Sequence, residues 1–579
     1  MINKIEIKEI KGIEKQEYNF NIVPNKPNMF VAPNGFGKSS FATAFGSLKR
    51  KGISLEENDM FNHSIDSNPS ISISMSNGGV FKATKEKNEI SKEFDIWIIN
   101  SQLYPKASTK NFGSFSSTKA DICVKPITIY KTVPKKIDID YSFKRMKLNY
   151  GNLGKLLSNV STNFKDTNFI TKLSVIEPDI KKLWQVSKMK KIDEFIIKYS
   201  GIKGTSNNIL NQTFDYSSLE SIDEYMTVLE FVKNVFNNEE VTIREHLDCI
   251  QIIKTLEFNK KNLNKIFKYY SFRQMRNELD EQIKVMNTTW KNIKSKQTNN
   301  TLVLEMPPAS HISNGERDII CFVAKLYEVK AKITSKRTLL IIDEIFDYLD
   351  DGNLITAQYF VNQIIEESKK EGRKFYPIIL THLDPQYFRT YSFNIKNVNY
   401  LDGDKKNVDK FNFHKVLKNR NAIDTLAKYY LHYHPDNFTE NALMSFDVKD
   451  GIEDKFKFYE VAANEVKNLV NGKNYDIAMV CSGLRHHIEM NVYKLLDNQY
   501  KEEFITMHGT NNKLDFASER GIIIPEVYYM LGIIYNEVLH LDQQSKKLIS
   551  VGQKLRNRTV IKMIDDVISN TVEPSICIS

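Results

Sequence analysis

The chain has 579 residues, 41% of them hydrophobic and 26% charged, with a net charge of +10, the balance of a soluble globular protein of two to four domains. No run of eighteen apolar residues occurs, which excludes a membrane-spanning helix, and the alternating N-terminus (Ile2 to Ile10) lacks the apolar core of a signal peptide. Five scattered cysteines (Cys123, Cys249, Cys321, Cys481, Cys577) show no C-x-x-C spacing, which argues against a structural zinc site and fits a reducing cytoplasm.

Residues 2–22 alternate as two strands and lead into a short apolar run, Met29 to Val31. The next stretch, A-P-N-G-F-G-K-S-S from Ala32 to Ser40, fits the phosphate-loop pattern G-x-x-x-x-G-K-[ST], with Ala32 where the first Gly usually stands. Smallness matters more than positive φ at that first position. Gly35 and Gly37, with Asn34 beside them, let backbone N–H groups turn onto phosphate oxygens, and a helix begun by Phe41 and Ala42 aims its positive end at them. Lys38 reaches the β- and γ-phosphates, and the Ser39 hydroxyl, followed by Ser40, holds Mg²⁺.

Ser70 to Thr84 predicts a hairpin turning at Gly78-Gly79, and Phe94 to Ile99 a strand that delivers Gln102 just beyond its end. From about Ile137 to Lys296 the pattern is helical, with a break at Gly201 to Gly204 and apolar spacing of three and four over 219–236 and 244–269. It lacks the sustained heptads of a very long coiled coil. Residues 131–300 carry 29 basic and 20 acidic side chains, whereas 431–579 carry 16 and 21. The middle is therefore the candidate polyanion-facing surface, although a solvated helical face explains the charge equally well.

After Thr301 strands and helices alternate. Arg337 to Asp343 reads as a buried strand ending in an acid, with Glu344 next. Asp343 is placed to orient Mg²⁺ with its water shell, and Glu344 to polarise an attacking water. Tyr376 to Leu380 is a second buried strand, ending at Thr381-His382, and Val398–Asp402 and Phe411–His414 read as closing strands. Upstream, His311 to Arg317 (H-I-S-N-G-E-R) opens a helix, where Ser313, Gly315 and Glu316 with the helix N-terminus form a second phosphate-binding device.

These stretches, in this order, resemble an ABC-type ATPase head: phosphate loop, Q-loop Gln102, signature 313–317, Asp343-Glu344, a D-loop at Tyr348 to Asp350, and a switch histidine, His382. The chain is similar to RecF/SMC-like ABC ATPases split by a helical insertion, and its loop and signature look most like the anticodon-nuclease (PrrC/RloC) branch. The resemblance implies an α/β ABC-type ATPase head (a P-loop NTPase) with an inserted helical arm and an all-α C-terminal domain. Expected boundaries are 1–135 and 301–418 for the two head lobes, 136–300 for the arm, and 419–579 for a helical effector. It also implies ATP and Mg²⁺ as cofactors, with Gln102 beside Ser39 and Asp343 at the metal. A homodimer is expected, each signature closing on nucleotide held by the partner, with a higher oligomer as the further option, in a cytoplasmic protein acting in antiphage defence.

In the C-terminal region, Ile477, Val480, Leu484, Ile488, Val492 and Leu495 form one apolar helical stripe, with Arg485 and Glu489 four apart beside it. Anticodon nucleases carry an Arg-x-x-x-Glu pair on a helix and a later His, which Arg485, Glu489 and His508 match. A base removing the 2′-OH proton and an Arg steadying phosphate charge suit metal-free RNA cleavage, aimed at tRNA. An ordinary salt bridge with a loop histidine is the competing reading. Two alternatives stay open: an ATPase sensor whose nuclease is a separate partner, as in Septu-like pairs, and a DNA-repair ATPase of the SMC/RecF kind with no nuclease.

Overall fold

The computed structural model describes residues 1–32, 35–112, 115–236, 241–288, 292–333, 335–383, 388, 397–401, 410–418, 423–539, 551–552 and 554–576. In chain order its strands are β1 (Ile2–Ile10), β2 (Ile13–Tyr18), β3 (Asn28–Val31), β4 (Ser70–Met75), β5 (Val80–Ala83), β6 (Asp95–Ile99) and β7 (Leu103–Phe112). They continue with β8 (Phe115–Val124), β9 (Ile127–Tyr130), β10 (Ser295–Thr298), β11 (Thr301–Leu304), β12 (Arg337–Asp343), β13 (Lys374–Thr381), β14 (Val398–Tyr400) and a two-residue antiparallel pair among the C-terminal helices, β15 (Ile522–Ile523) with β16 (Ser575–Ile576). The chain divides into two compact units, each discontinuous in sequence: residues 1–100, 335–347 and 365–579, and residues 101–334 and 348–364. The stretch 301–418 thus contributes to both, and 419–579 joins the first.

In the first unit, β3, β6, β12, β13 and β14 form a wholly parallel sheet in the order β14-β3-β13-β12-β6. Leu339 to Ile342 and Ile378 to Leu380 are fully buried, as near-continuous apolar strands of a parallel sheet must be. An antiparallel sheet in the order β2-β1-β4-β5 lies beside it in the same core. Its alternating isoleucines (Ile5, Ile7, Ile71, Ile73) all point inward, each worth roughly 1.5–3 kcal/mol of burial. The β4–β5 hairpin turns at Gly78, whose φ of 87° only glycine takes readily.

The C-terminal helices of this unit pack around Ile477–Leu495, capped by the Asp476 side chain, which accepts the Met479 N–H at 3.0 Å. Five members of the expected stripe are buried, and Leu495 is partly so. Gly483 lets this helix lie against Lys455–Val470 at backbone contact: a Cβ there would stand 2.6 Å from the Ala462 carbonyl oxygen. One expected strand is corrected. Residues 413–418 are a helix, because Phe413, Val416 and Leu417 share a face buried in the helical core, where Phe413 meets Phe458 at 4.8 Å.

The second unit contains the hairpin β7–β8, the antiparallel sheet β10-β11-β9, and the helical insertion. Helices Asp223–Phe236, Ile243–Phe258 and Leu263–Met286 bury Val228, Ile250, Ile253 and Ile266 in a core of their own. A capping box between Thr242 and Glu245 starts the second of these helices. Asn259 to Asn262 interrupts the expected run over 244–269.

Candidate functional site

The sheet places its chemistry at the carboxyl ends of adjacent strands. The phosphate loop follows β3, His382 follows β13, and Asp343 with Glu344 end β12. Gly35 and Gly37 have φ of 86° and 84°, and Gly37 is the N-cap of helix Lys38–Gly46, so the loop turns as the glycine pattern requires. Asn34 lies outside the described residues. Lys38 is buried; its Nζ donates to the Ala32 carbonyl at 2.8 Å and stands 3.4 Å from Glu344 Oε1. Ser39 is exposed and Ser40 buried.

Glu344 takes φ of 56°, a left-handed conformation uncommon for a residue with a side chain, and its N–H is fixed on the Leu380 carbonyl at 3.1 Å. Such strain persists where neighbours over-determine the backbone, as at functional sites. Asp343 Oδ1 is buried without a hydrogen-bond partner among the described residues. Burial, and then the Glu344 charge, push the Asp343 carboxyl up to about 6. An oxygen left so uncompensated suits a divalent cation, and Ser39 and Asp343 line one cavity of 580 Å³ with Lys11, Thr43, Asp59 and Asn100.

The sequence reading missed Asp347. Its fully buried carboxylate accepts from Thr381 Oγ1, from the His382 N–H at 3.1 Å, and lies 2.9 Å from His382 Nδ1. Its only sequence signal is a third acid after Asp343 and Glu344.

The remaining head residues belong to the second unit. Gln102 directly precedes β7, its carbonyl accepting the Lys125 N–H at 3.0 Å. Ser313 is the exposed N-cap of helix Asn314–Lys332, its Oγ accepting the Glu316 N–H at 3.3 Å. Glu316 is buried, with one carboxylate oxygen on the Thr288 N–H at 2.6 Å. A Cβ on Gly315 would stand 2.8 Å from Asp350 Oδ2 and 3.0 Å from Asn353 Nδ2, so signature and D-loop approach closely at this glycine.

In the C-terminal helices Arg485 and Glu489 are buried, while His508 is exposed, and no hydrogen bond joins its ring to either of them among the described residues. Glu489 is bonded instead to His432, Tyr433, Thr510 and Lys513. His432, in the run K-Y-Y-L-H-Y-H from Lys428 to His434, lies 57 positions upstream of Glu489 and was not a sequence candidate. Near the C-terminus the Arg556 guanidinium stands 5.9 Å from the ring of Phe36, in the phosphate loop.

No protein-family model and no curated protein matches the chain. Among solved structures it is similar to the Smc head domain with an extended coiled coil bound to the C-terminal domain of ScpA, derived from Pyrococcus furiosus. That match has 15% identity over 66% of this chain and 90% of the other, with a TM-score of 0.25. It is also similar to the recombination mediator protein RecF with ATP, at 13% identity over 66% and 92%, with a TM-score of 0.22. The P-loop ATPase fold itself is carried by the strand order and the loop geometry. Among the described residues, no helix is long and apolar enough to cross a membrane.

Proposed function

We propose that the chain binds and hydrolyses ATP in a head of the RecF/SMC-like ABC kind, and that nucleotide state gates RNA cleavage by its C-terminal helices. The observation that carries the first half is the alignment of Lys38, Asp343, Glu344 and His382 at the ends of three neighbouring parallel strands. Lys38 neutralises phosphate charge, Glu344 orients the attacking water, and His382 donates to the transferred group. Ser39 and Asp343 would hold Mg²⁺, which supplies charge neutralisation at the phosphates; Gln102 is the further candidate ligand. The exposed N-terminus of the signature helix, at Ser313, supports closure on nucleotide held by a second copy.

The anticodon-nuclease branch, a tRNA target and a role in antiphage defence are proposed on the resemblance of the Arg485–Glu489 pair and of the loop and signature sequences to that branch. The test is steady-state hydrolysis together with sizing. Lys38→Ala is expected to lose nucleotide binding, whereas Glu344→Gln binds ATP, hydrolyses it at least 100-fold more slowly, and accumulates as a dimer. A Glu344→Gln protein that stays monomeric with ATP bound would exclude the sandwich. RNA termini sequenced after expression, wild type against Arg485→Ala, test the nuclease half.

A further inference from the structure

The C-terminal helices bury more charge than packing requires. Arg485, Glu489 and Lys513 are each 1% exposed or less. Hydrophobic residues of similar volume commonly stabilise a core as well as a buried ion cluster does. Glu489 Oε1 accepts from Thr510 Oγ1 at 2.7 Å and lies 2.7 Å from His432 Nδ1. Its Oε2 accepts from the Tyr433 N–H at 2.9 Å and from Lys513 Nζ at 3.3 Å.

Burial alone raises a carboxyl, yet the bond from His432 and the charges of Lys513 and Arg485 outweigh it and hold Glu489 well below the usual range. An ionised carboxylate with both oxygens doubly engaged is poorly placed to take a proton from a substrate. Arg485 is held at its tips, Nη1 on the Leu431 carbonyl at 3.0 Å and Nη2 on Asn536 Oδ1, while its Nε is buried without a partner among the described residues.

His432 is different. With Nδ1–H donated to an ionised Glu489, its Nε2 carries the lone pair. Among the described residues no hydrogen bond to Nε2 is made, and the side chain keeps 10% of its surface. Tyr433 is the next residue in the chain and Tyr493 lies one helical turn beyond Glu489; both are half-buried, their rings 5.4 Å apart, with Lys501 Nζ 5.3 Å over Tyr493. Paired aromatics with a cation are what stacks and holds unpaired bases.

We propose that His432 is the general base of the C-terminal domain, that Glu489 is the positioning residue fixing its tautomer, and that single-stranded RNA is held on Tyr433 and Tyr493. This rests on the RNA-cleavage reading and moves the histidine role from His508 to His432. In the step, His432 Nε2 takes the 2′-OH proton, and that O–H electron pair forms the new bond from O2′ to phosphorus. The bond from phosphorus to O5′ breaks with its pair on O5′, which takes a proton from solvent, and the imidazolium returns its proton to solvent. The products are a 2′,3′-cyclic phosphate and a 5′-hydroxyl.

The test uses the full chain with ATP and single-stranded RNA, with melting curves to verify folding. His432→Asn keeps a donor for Glu489 but no base, and is expected to lose at least 100-fold in kcat. Tyr493→Ala, nearer the surface, is expected to raise KM at least fivefold with kcat kept. In nitrogen-15 spectra of the wild type, one histidine, absent from His432→Asn, is expected as the Nδ1–H tautomer. A folded His432→Asn that cleaves at the wild-type rate, or a Tyr493→Ala with unchanged KM, overturns the proposal while leaving the nuclease reading intact. A wild type that cleaves no RNA removes both.

Discussion

Asp347 Oδ2 lies 2.9 Å from His382 Nδ1, and the same carboxylate binds the His382 N–H and the Thr381 hydroxyl. This one buried acid therefore fixes both the backbone and the ring of the residue that follows β13. With Nδ1 held, Nε2 of the exposed ring is the nitrogen left for any further partner, and nucleotide is the partner proposed. Asp347→Ala is expected to lower kcat for ATP hydrolysis at least about tenfold with little change in KM, because orientation is lost rather than binding. Asp347→Asn, which retains an acceptor for Nδ1–H, should recover part of the loss. A change confined to KM would remove this role.

Gly315 sits where signature and D-loop meet. The Asp350 and Asn353 side-chain atoms that a Cβ would strike are bonded to each other at 2.7 Å, so neither retreats without breaking that bond. Gly315→Ala is expected to cost about 1–3 kcal/mol of stability. It should also abolish ATP-dependent dimerisation in light scattering while ATP binding to the phosphate loop persists.

Gly483 makes the corresponding demand in the C-terminal helices. The atoms a Cβ would meet are backbone, the Ala462 carbonyl oxygen at 2.6 Å and its carbon at 2.8 Å, and backbone cannot rotate away. Helix propensity favours alanine by about 1 kcal/mol, but the clash outweighs it. Gly483→Ala should destabilise by roughly 1–3 kcal/mol in urea titration.

His246 sets an acid limit in the second unit. Its ring stacks on Tyr216 at 3.9 Å, its Nδ1 is 2.9 Å from the Tyr225 hydroxyl, and burial pushes its pKa down to about 4. Between that value and 6.5 the unfolded chain binds the proton and the folded one does not. Stability therefore falls as pH drops through this window, by about 3 kcal/mol once both limits are passed. His246→Gln, which keeps an acceptor for Tyr225, should narrow the gap between melting temperatures at pH 7 and pH 4.5.

The phosphate loop was legible because its signal is local. Two glycines at positive φ, a lysine and a serine within a few residues define it, and a short apolar strand before a helix confirms the setting. The isoleucine alternation of β1 and β4 and the apolar runs of β12 and β13 were legible for the same reason, since side-chain period reports which faces are buried. The helix at 413–418 was misread because two apolar positions two apart suit either period, and only the packing of Phe413 on Phe458 chooses between them.

Sequence alone thus determined the strand-end acids, the loop and the signature, each a short run whose chemistry is written in consecutive residues. It could not determine that Asp347 holds His382, or that Glu489 is bonded to His432 rather than His508. Those pairs lie 35 and 57 positions apart, and their meeting depends on which helices and strands pack side by side, a choice made by the summed burial of the whole core.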